Sequence, residues 1–443
     1  MELLEHLRNR QRQDADLFIH RIFLDRYPVT LVGATSLIDL PQTVKLLQTQ
    51  VRHVVASESP LLAISGGIGE RIGQEELVKV FEAITEGKLI IIPDNADPCI
   101  KLFPISRKLS RSIEAPMTEN VLRGGISAFT EDLDTNIGIV KKQTMTDKLR
   151  IHTYWLGSGL RRKATLLYMD GAVNSSFLRE LQLAVESHST QDVPDLQTLN
   201  TMLGFTRWSL VTRFNTTELP ENASFALNEG KVVMFLDRLP FAIVLPSLVG
   251  DMFASDNDRN YPLFFMLAIR LLRIVGVLIN TLMPGVYVAL VSVNPDVLRI
   301  ELAMSIAGSR VGVPYPAIVE TVLLLVTLEL ILEACIRLPK SIGTTITMVG
   351  GIILGQAVVE ARLVSNVLII ILAATTIASF TVIGFHNAIS IRISKYVVLI
   401  LSALFGVLGL FAGMIVISAY LASISSFGVP YLSWPRSKEQ SDG

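Results

Sequence analysis

Cysteine and histidine are scarce in this chain of 443 residues, and neither sign of charge is in marked excess. Its two cysteines, Cys99 and Cys335, are far apart, so neither a disulfide framework nor a zinc site is expected. The six histidines lack metal-ligand spacing. A net charge of −1 gives no indication of the basic face that binds nucleic acid. We therefore expect no metal, no cofactor and no nucleic-acid partner.

Catalytic patterns are also missing. The glycine-rich run at residues 66–69 lacks the lysine and hydroxyl residue of a phosphate-binding loop, and it does not complete a dinucleotide fingerprint. No nucleophile stands with a base in a recognisable pattern. We therefore expect that the protein is not an enzyme.

The N-terminal residues are charged throughout and contain no apolar core of a secretory signal. We therefore expect the first 258 residues to remain in the cytoplasm. Arg259, Arg270 and Arg273 surround the start of the first long apolar segment, which agrees with a cytoplasmic location for that end of the segment.

Charged residues are absent from three long stretches, at residues 274–293, 363–391 and 396–432. About twenty apolar residues in a helix cross the hydrocarbon core of a bilayer. The first 260 residues instead mix charges, short apolar runs and turn residues. The pattern predicts an α/β N-terminal module with two similar subdomains, followed by an α-helical transmembrane domain.

The two subdomains are inferred from an internal similarity. Glu86-Gly87-Lys88 and Glu229-Gly230-Lys231 each precede an apolar strand, a turn and a second strand that ends in proline. Both copies predict a β-hairpin that follows a helix capped by glycine. We expect domains at residues 1–125, 126–258 and 259–435, with a short polar tail at 436–443. Residues 1–25 are expected to form a polar helix.

Four or five membrane spans are expected, and the sequence leaves both numbers open. The predicted spans are residues 262–291, interrupted by Pro284 and Gly285, and residues 316–336, 341–359, 364–385 and 396–422. The third is rich in threonine and glycine and either spans or re-enters the membrane. Five spans place the basic pairs at residues 337–340 and 392–395 on the cytoplasmic side, whereas four spans leave one pair outside.

Polar residues within these spans are candidates for a pore lining or for contacts between helices. Carboxylates at membrane depth are costly and usually face protein or water. Small residues spaced four apart allow close helix packing. The candidates are Glu320, Glu329, Glu333, Gly351, Gly355, Gln356 and Glu360.

Several short motifs follow one another in a consistent order along the chain. Each motif is weakly specific, but the set spans residues 85–433. In the first half they are Arg111-Ser-Ile-Glu-Ala-Pro116 and Phe129-Thr-Glu-Asp-Leu133. In the second half they include Gly312-Val-Pro314, Arg337-Leu-Pro339, Gly355-Gln-Ala357 and Phe427-Gly-Val-Pro-Tyr431. In this order the motifs resemble those of the A subunit of bacterial spore germinant receptors, the GerA family.

The resemblance implies a multi-pass protein of the spore inner membrane that acts in nutrient-triggered spore germination. It implies a permease-like B subunit and a lipoprotein C subunit as partners, and a homo-oligomer, a pentamer, that releases cations. A non-conducting scaffold that recruits germination partners is the alternative. A transporter is disfavoured because the membrane domain shows no inverted repeat of broken helices.

Overall fold

The computed structural model describes residues 2–24, 27–54, 69–73, 76–94, 99–106, 116, 119, 125, 127–337, 356–358 and 360–433. The helices are α1 (Glu2–Gln11), α2 (Leu40–Val54), α3 (Leu77–Thr85), α4 (Leu133–Thr144), α5 (Ser175–Ser187), α6 (Leu196–Met202), α7 (Pro220–Asn228), α8 (Leu263–Val288), α9 (Ile300–Ser309), α10 (Ala317–Arg337), α11 (Asn366–Ser379), α12 (Phe385–Phe405) and α13 (Val407–Ser423). The strands are β1 (Leu17–Leu24), β2 (Tyr27–Ala34), β3 (Gly69–Ile72), β4 (Leu89–Pro93), β5 (Cys99–Leu102), β6 (Leu149–Leu156), β7 (Arg162–Met169), β8 (Asn215–Thr217), β9 (Val232–Leu236), β10 (Ala242–Leu245), β11 (Ser425–Ser426) and β12 (Val429–Pro430).

Two antiparallel sheets of five strands form the first half of the chain. The first has the order β1-β2-β4-β5-β3, and the second has the order β6-β7-β9-β10-β8. When the strands of each sheet are numbered in chain order within that sheet, both sheets have the same spatial order of strands. The predicted hairpins are confirmed, since β4 pairs with β5 and β9 pairs with β10.

Glycine ends the helix before each of these hairpins, as the sequence predicted. Gly87 and Gly230 both have a φ of +80°, a conformation that glycine adopts without steric cost. In both copies the amide of the next lysine donates to the carbonyl five residues earlier, which satisfies an orphan carbonyl of the helix end. The same local sequence thus produces the same exit from helix to strand twice.

Helices cover both faces of each sheet. The central strands β4 and β9 are buried along their whole length, which explains their continuous apolar sequences. In the first sheet α2 packs on one face, and α1 with α3 pack on the other. In the second sheet α5 with α6 cover one face, and α4 with α7 cover the other.

An ion cluster joins the two sheets. Lys141, on α4 of the second sheet, lies 2.7 Å from the carboxylate of Asp16 and 3.2 Å from that of Asp14, which lead into the first sheet. Asp16 also accepts hydrogen bonds from the amide and the hydroxyl of Ser36. Burial alone lowers the pKa of Lys141, but the two carboxylates offset it and raise the pKa above its ordinary value. The lysine is therefore held charged between the sheets.

The helical half begins with α8, which continues through Pro284 and ends in a π-helical turn at Ala289–Val293. The predicted interruption at Pro284 and Gly285 is therefore wrong. Among the described residues, two helical segments are long and apolar enough to cross a bilayer, namely Leu263–Val293 and His386–Phe405. Helix α8 packs along α11 and α12, and α12 packs along α13.

Other predicted helix bounds are partly wrong. The helix expected over residues 1–25 ends at Gln11, because the alternating apolar residues that follow form β1. The span expected over 396–422 is two helices, since Gly406 has a φ of +62° and reverses the chain between α12 and α13. The span expected over 364–385 is the shorter helix α11. The bounds of the second predicted span agree with helix α10, which is not one of the two candidate spans, and the third lies largely outside the described residues.

Candidate functional site

Glu329 lies in an ion cluster between α10 and α12. Its carboxylate accepts hydrogen bonds from the ammonium group of Lys395 at 2.7 Å and from the guanidinium group of Arg392 at 3.2 Å. The side chain of Lys395 is almost completely buried, and that of Glu329 is 26% exposed. The cluster therefore ties two helices together through a carboxylate that the sequence had left without a partner.

Glu320 is fully buried near the other end of α10. It accepts a hydrogen bond from the backbone amide of Ser365, the residue that caps α11, and it lies 3.6 Å from the guanidinium group of Arg310. The hydroxyl of Ser365 is 2.8 Å from that of Tyr287 on α8. The carboxylate thus connects α10 to the start of α11 and to the end of α9, and Ser365 in turn connects α11 to α8.

The remaining candidates lie apart from these clusters. Glu333 pairs with Arg337 one turn later on α10, and both side chains are more than half exposed. Gln356 and Glu360 are exposed and four residues apart. Gly351 and Gly355 lie outside the described residues. The structure therefore brings Glu320 and Glu329 into separate sets of contacts and leaves Gln356 and Glu360 facing outward.

Glycines allow α13 to lie directly against α12. A Cβ atom on Gly409 would come within 1.9 Å of the carbonyl oxygen of Leu401, and one on Gly413 would come within 3.0 Å of the Cα atom of Val398. Small residues at this spacing permit backbones to approach closely. These two glycines therefore support close packing inside a helical hairpin of this chain.

After α13 the chain turns back onto the second sheet. Strands β11 and β12 form a short hairpin whose turn residue, Phe427, packs against Phe177 and Phe205, with ring centroids at 5.7 and 5.2 Å. Arg213 donates a 2.8 Å hydrogen bond to the carbonyl of Ser425. We call residues 425–431 the C-terminal clasp. It completes a core whose other residues precede the helical half.

The clasp ends in Tyr431, which is 1% exposed. Its carbonyl accepts from the amide of Val249, and its hydroxyl donates to the sulfur of Met252 at 3.3 Å. Ile391 of α12 belongs to the same apolar cluster. The first long apolar helix, α8, is held at the same end by Arg273, which donates to Asp258 at 2.8 Å. Both candidate spans are therefore attached to the α/β module.

The contacts of the clasp were not predicted from the sequence, in which its residues stand out only as a motif. The basic partners of Glu329 were also missed, although the pair at 392–395 was noticed. The glycine at position 428, which has a φ of +77°, is a sequence signal for a turn but not for what the turn contacts. Across the described residues, no group of three or more His, Cys, Asp or Glu side chains could hold a metal ion.

Comparison with known proteins extends these observations. The family model described as Bacillus/Clostridium GerA spore germination protein matches residues 5–442. The chain is 32% identical over 359 residues to spore germination protein A1 of Bacillus subtilis (strain 168), covering 81% of this chain and 74% of that protein. It is 30% identical over 360 residues to the uncharacterized membrane protein YfkQ of the same organism, covering 81% and 70%.

A solved structure is also similar, although distantly. It is the crystal structure of the N-terminal domain of the A subunit of the Bacillus megaterium spore germinant receptor GerK3. The match has a TM-score of 0.39 and 16% identity, and it covers 55% of this chain and 93% of that one. The family match across nearly all 443 residues is decisive without it. The chain belongs to the GerA family of spore germination proteins.

Proposed function

We propose that the protein is a membrane subunit of a nutrient germinant receptor, and that copies of it form an oligomeric ligand-gated cation channel that triggers spore germination. The observation that carries this proposal is the attachment of the α/β module to both candidate spans, through the C-terminal clasp and through Asp258. A module held in this way transmits a change of position to the helices. Such coupling is what a gated channel subunit requires.

The module is proposed to lie in the cytoplasm and the helices in the spore inner membrane. Only 11% of the most apolar part of the segment Leu263–Val293 is buried within the protein, as expected of a helix that faces lipid. Four basic residues lie toward the module end of α8 and α12. An excess of lysine and arginine is typical of the cytoplasmic side. These four are Arg270, Arg273, Arg392 and Lys395.

Within the channel, Gln356 and Glu360 are proposed to face the cation path. Both are exposed, and at four residues apart they lie on one face of a helix. Glu320 and Glu329 already have cationic partners inside the chain, which suits a role in holding helices together. By resemblance, five copies form the ring, and a permease-like B subunit and a lipoprotein C subunit complete the receptor.

The two sheets are proposed to be duplicated subdomains at residues 1–125 and 126–258, followed by the helical domain at 259–435. Their identical strand order and their glycine-terminated helices support this division. A duplication would give the module two similar platforms, one of which contacts the helices through the clasp.

The test is monovalent-cation release from spores given a nutrient mixture. Spores that carry Glu360→Gln are compared with spores that carry Glu301→Gln, an exposed glutamate on α9 that serves as the matched control. We expect Glu360→Gln to change the rate of cation release at normal protein levels, and Glu301→Gln to leave it unchanged. Equal release from both variants would contradict the proposed lining.

The alternative function is a non-conducting scaffold, and the internal neutralisation of Glu320 and Glu329 favours it. A scaffold should be needed for the amounts of its partners in the membrane. Quantification of the B and C subunits in spores without this protein separates the two. Two results together would support the scaffold. Spores without this protein would lose both partner subunits, and every helix variant that retains the partner subunits would release cations at the unaltered rate.

A further inference from the structure

Trp208 is the most exposed of the large hydrophobic side chains that the structure describes. It is 93% exposed and lies in the loop between α6 and β8. An indole ring has one of the largest apolar surfaces of any side chain, and in Trp208 this surface remains in contact with water. A single exposed hydrophobic side chain is common on protein surfaces, so the position of Trp208 relative to the helices decides what this exposure means.

The position of this loop relative to the helices is fixed by Leu210. Its backbone amide donates a 2.8 Å hydrogen bond to the hydroxyl of Tyr420, in the last turn of α13. Its carbonyl accepts a hydrogen bond from the hydroxyl of Ser390, in the second turn of α12. The loop therefore lies at the level of the first two turns of α12 and the last turn of α13.

Trp208 is two residues from Leu210, so its Cα atom lies within about 8 Å of that level. At the same end of the helical half, α8 begins with two exposed rings, Phe264 and Phe265, which contact each other edge to face. Arg207, the residue before Trp208, is also exposed. Tryptophan with its polar N–H is enriched where a bilayer meets water, and long basic side chains extend toward headgroups at that depth.

We propose that residues 206–210 are a membrane contact of the α/β module, in which the indole of Trp208 lies among the headgroups and upper acyl chains of a phospholipid bilayer. The proposal rests on the proposed membrane location of α8 and α12. Continuity with the helix ends favours lipid over a protein partner as the occupant. The module is then held against the bilayer at a point separate from the helices themselves.

The test is quenching of tryptophan fluorescence by brominated lipids. The chain has three tryptophans, Trp155, Trp208 and Trp434, and the last lies outside the described residues. The full-length protein with Trp155→Phe and Trp434→Phe reports on Trp208 alone. The matched control carries Trp208→Phe and Trp434→Phe, so it reports on Trp155, which is 52% exposed on strand β6. Both are reconstituted in vesicles of phosphatidylcholine and phosphatidylglycerol.

We expect lipids brominated near the top of the acyl chains to remove most of the Trp208 emission and to leave that of Trp155 almost unchanged. Lipids brominated near the chain ends should quench Trp208 less. Equal emission of Trp208 with and without bromine would overturn the proposal. Emission of Trp208 that becomes protected only when partner subunits are added would overturn it in favour of a protein contact.

A third variant separates this proposal from the proposed membrane location. Leu271→Trp, in a chain whose three native tryptophans are replaced by phenylalanine, places the reporter on an exposed position of α8. Quenching of this reporter by the deeper bromines, without quenching of Trp208, would reject the loop contact and retain the span. Absence of quenching at both positions would reject the span itself.

Discussion

Lys395 donates a 2.7 Å hydrogen bond from its ammonium group to the carboxylate of Glu329, which lies 66 positions earlier in the chain. Arg392 donates to the second oxygen of the same carboxylate. One carboxylate on α10 thus forms ion pairs with two cationic side chains on α12. Because charges removed from water are tolerated only when paired, this cluster constrains how the two helices can move apart.

Glu329→Gln should lower the stability of the helical half. The substitution leaves Lys395 and Arg392 without their anion, and removal of one partner of a buried pair is strongly destabilising. Because Glu329 is partly exposed, we expect a loss of about 2 kcal/mol, below the range for fully buried pairs. Thermal unfolding of the detergent-solubilised protein measures this.

Glu333→Gln is the control for that variant, since Glu333 and Arg337 form an exposed pair on the same helix. Its effect should stay within about 0.5 kcal/mol. Glu329→Gln combined with Lys395→Met should recover part of the lost stability. An unfolding temperature of Glu329→Gln equal to that of Glu333→Gln would contradict the assignment.

Lys141→Met should loosen the contact between the two sheets. It leaves Asp14 and Asp16 facing each other in a buried place without a cation, which we expect to cost about 3 kcal/mol. Hydrogen exchange of the amides of Ala15 and Ile151, which bond across the contact, should become faster. Lys142→Met, at the exposed neighbouring position, should leave both amides as slow as before.

Phe427→Ala should release the C-terminal clasp from the second sheet. The half-buried ring packs against Phe177 and Phe205, and we expect its loss to cost about 2 kcal/mol, less than in a complete core. The amides of Tyr431 and Val249, which the clasp protects, should exchange faster. Phe411→Ala, on the exposed face of α13, is the control, and equal exchange in both variants would show that the clasp does not depend on the ring.

The second sheet should lose stability on acidification through His152. Burial lowers the pKa of His152, which lies 3.0 Å from the hydroxyl of Tyr168 and stacks on its ring. The unfolded chain therefore binds more protons than the folded one just below the ordinary pKa of histidine. The contribution of neutral His152 is present above about pH 6.5 and is lost as the pH falls.

The measurement is the unfolding temperature from about pH 7.5 to about pH 5.5, followed by the emission of Trp155 on the same strand. His152→Gln should have a shallower dependence on pH than the parent protein. His188→Gln, at an exposed position, is the control and should retain the parental slope. Parallel curves for all three proteins would exclude His152 as the source.

Local sequence signals predicted much of the fold. The hairpins at β4–β5 and β9–β10 and the glycine before each could be read directly, because these patterns act over a few residues. The bounds of α8 and α10 followed from apolar length. The break at Gly406 was missed, since composition alone does not distinguish one long helix from two packed antiparallel helices.

The candidate site was harder to predict because its contacts are distant in sequence. Glu329 was recognised as costly at membrane depth, but nothing in the pattern around it identified Lys395 as its partner. Phe427 was seen as part of a family motif, whereas its contact with Phe177 depends on the path of every helix between them. The periodicity of apolar residues carries no information about contacts between residues so far apart in the sequence.

The place of Phe427 has a consequence for biosynthesis. Apart from Val429 in the clasp itself, the other residues of this core end at Leu245, so a ribosome completes them before it makes α8 to α13. The apolar surface around Phe177 and Phe205 therefore stays open until the ribosome has made the last helix and then Phe427 itself.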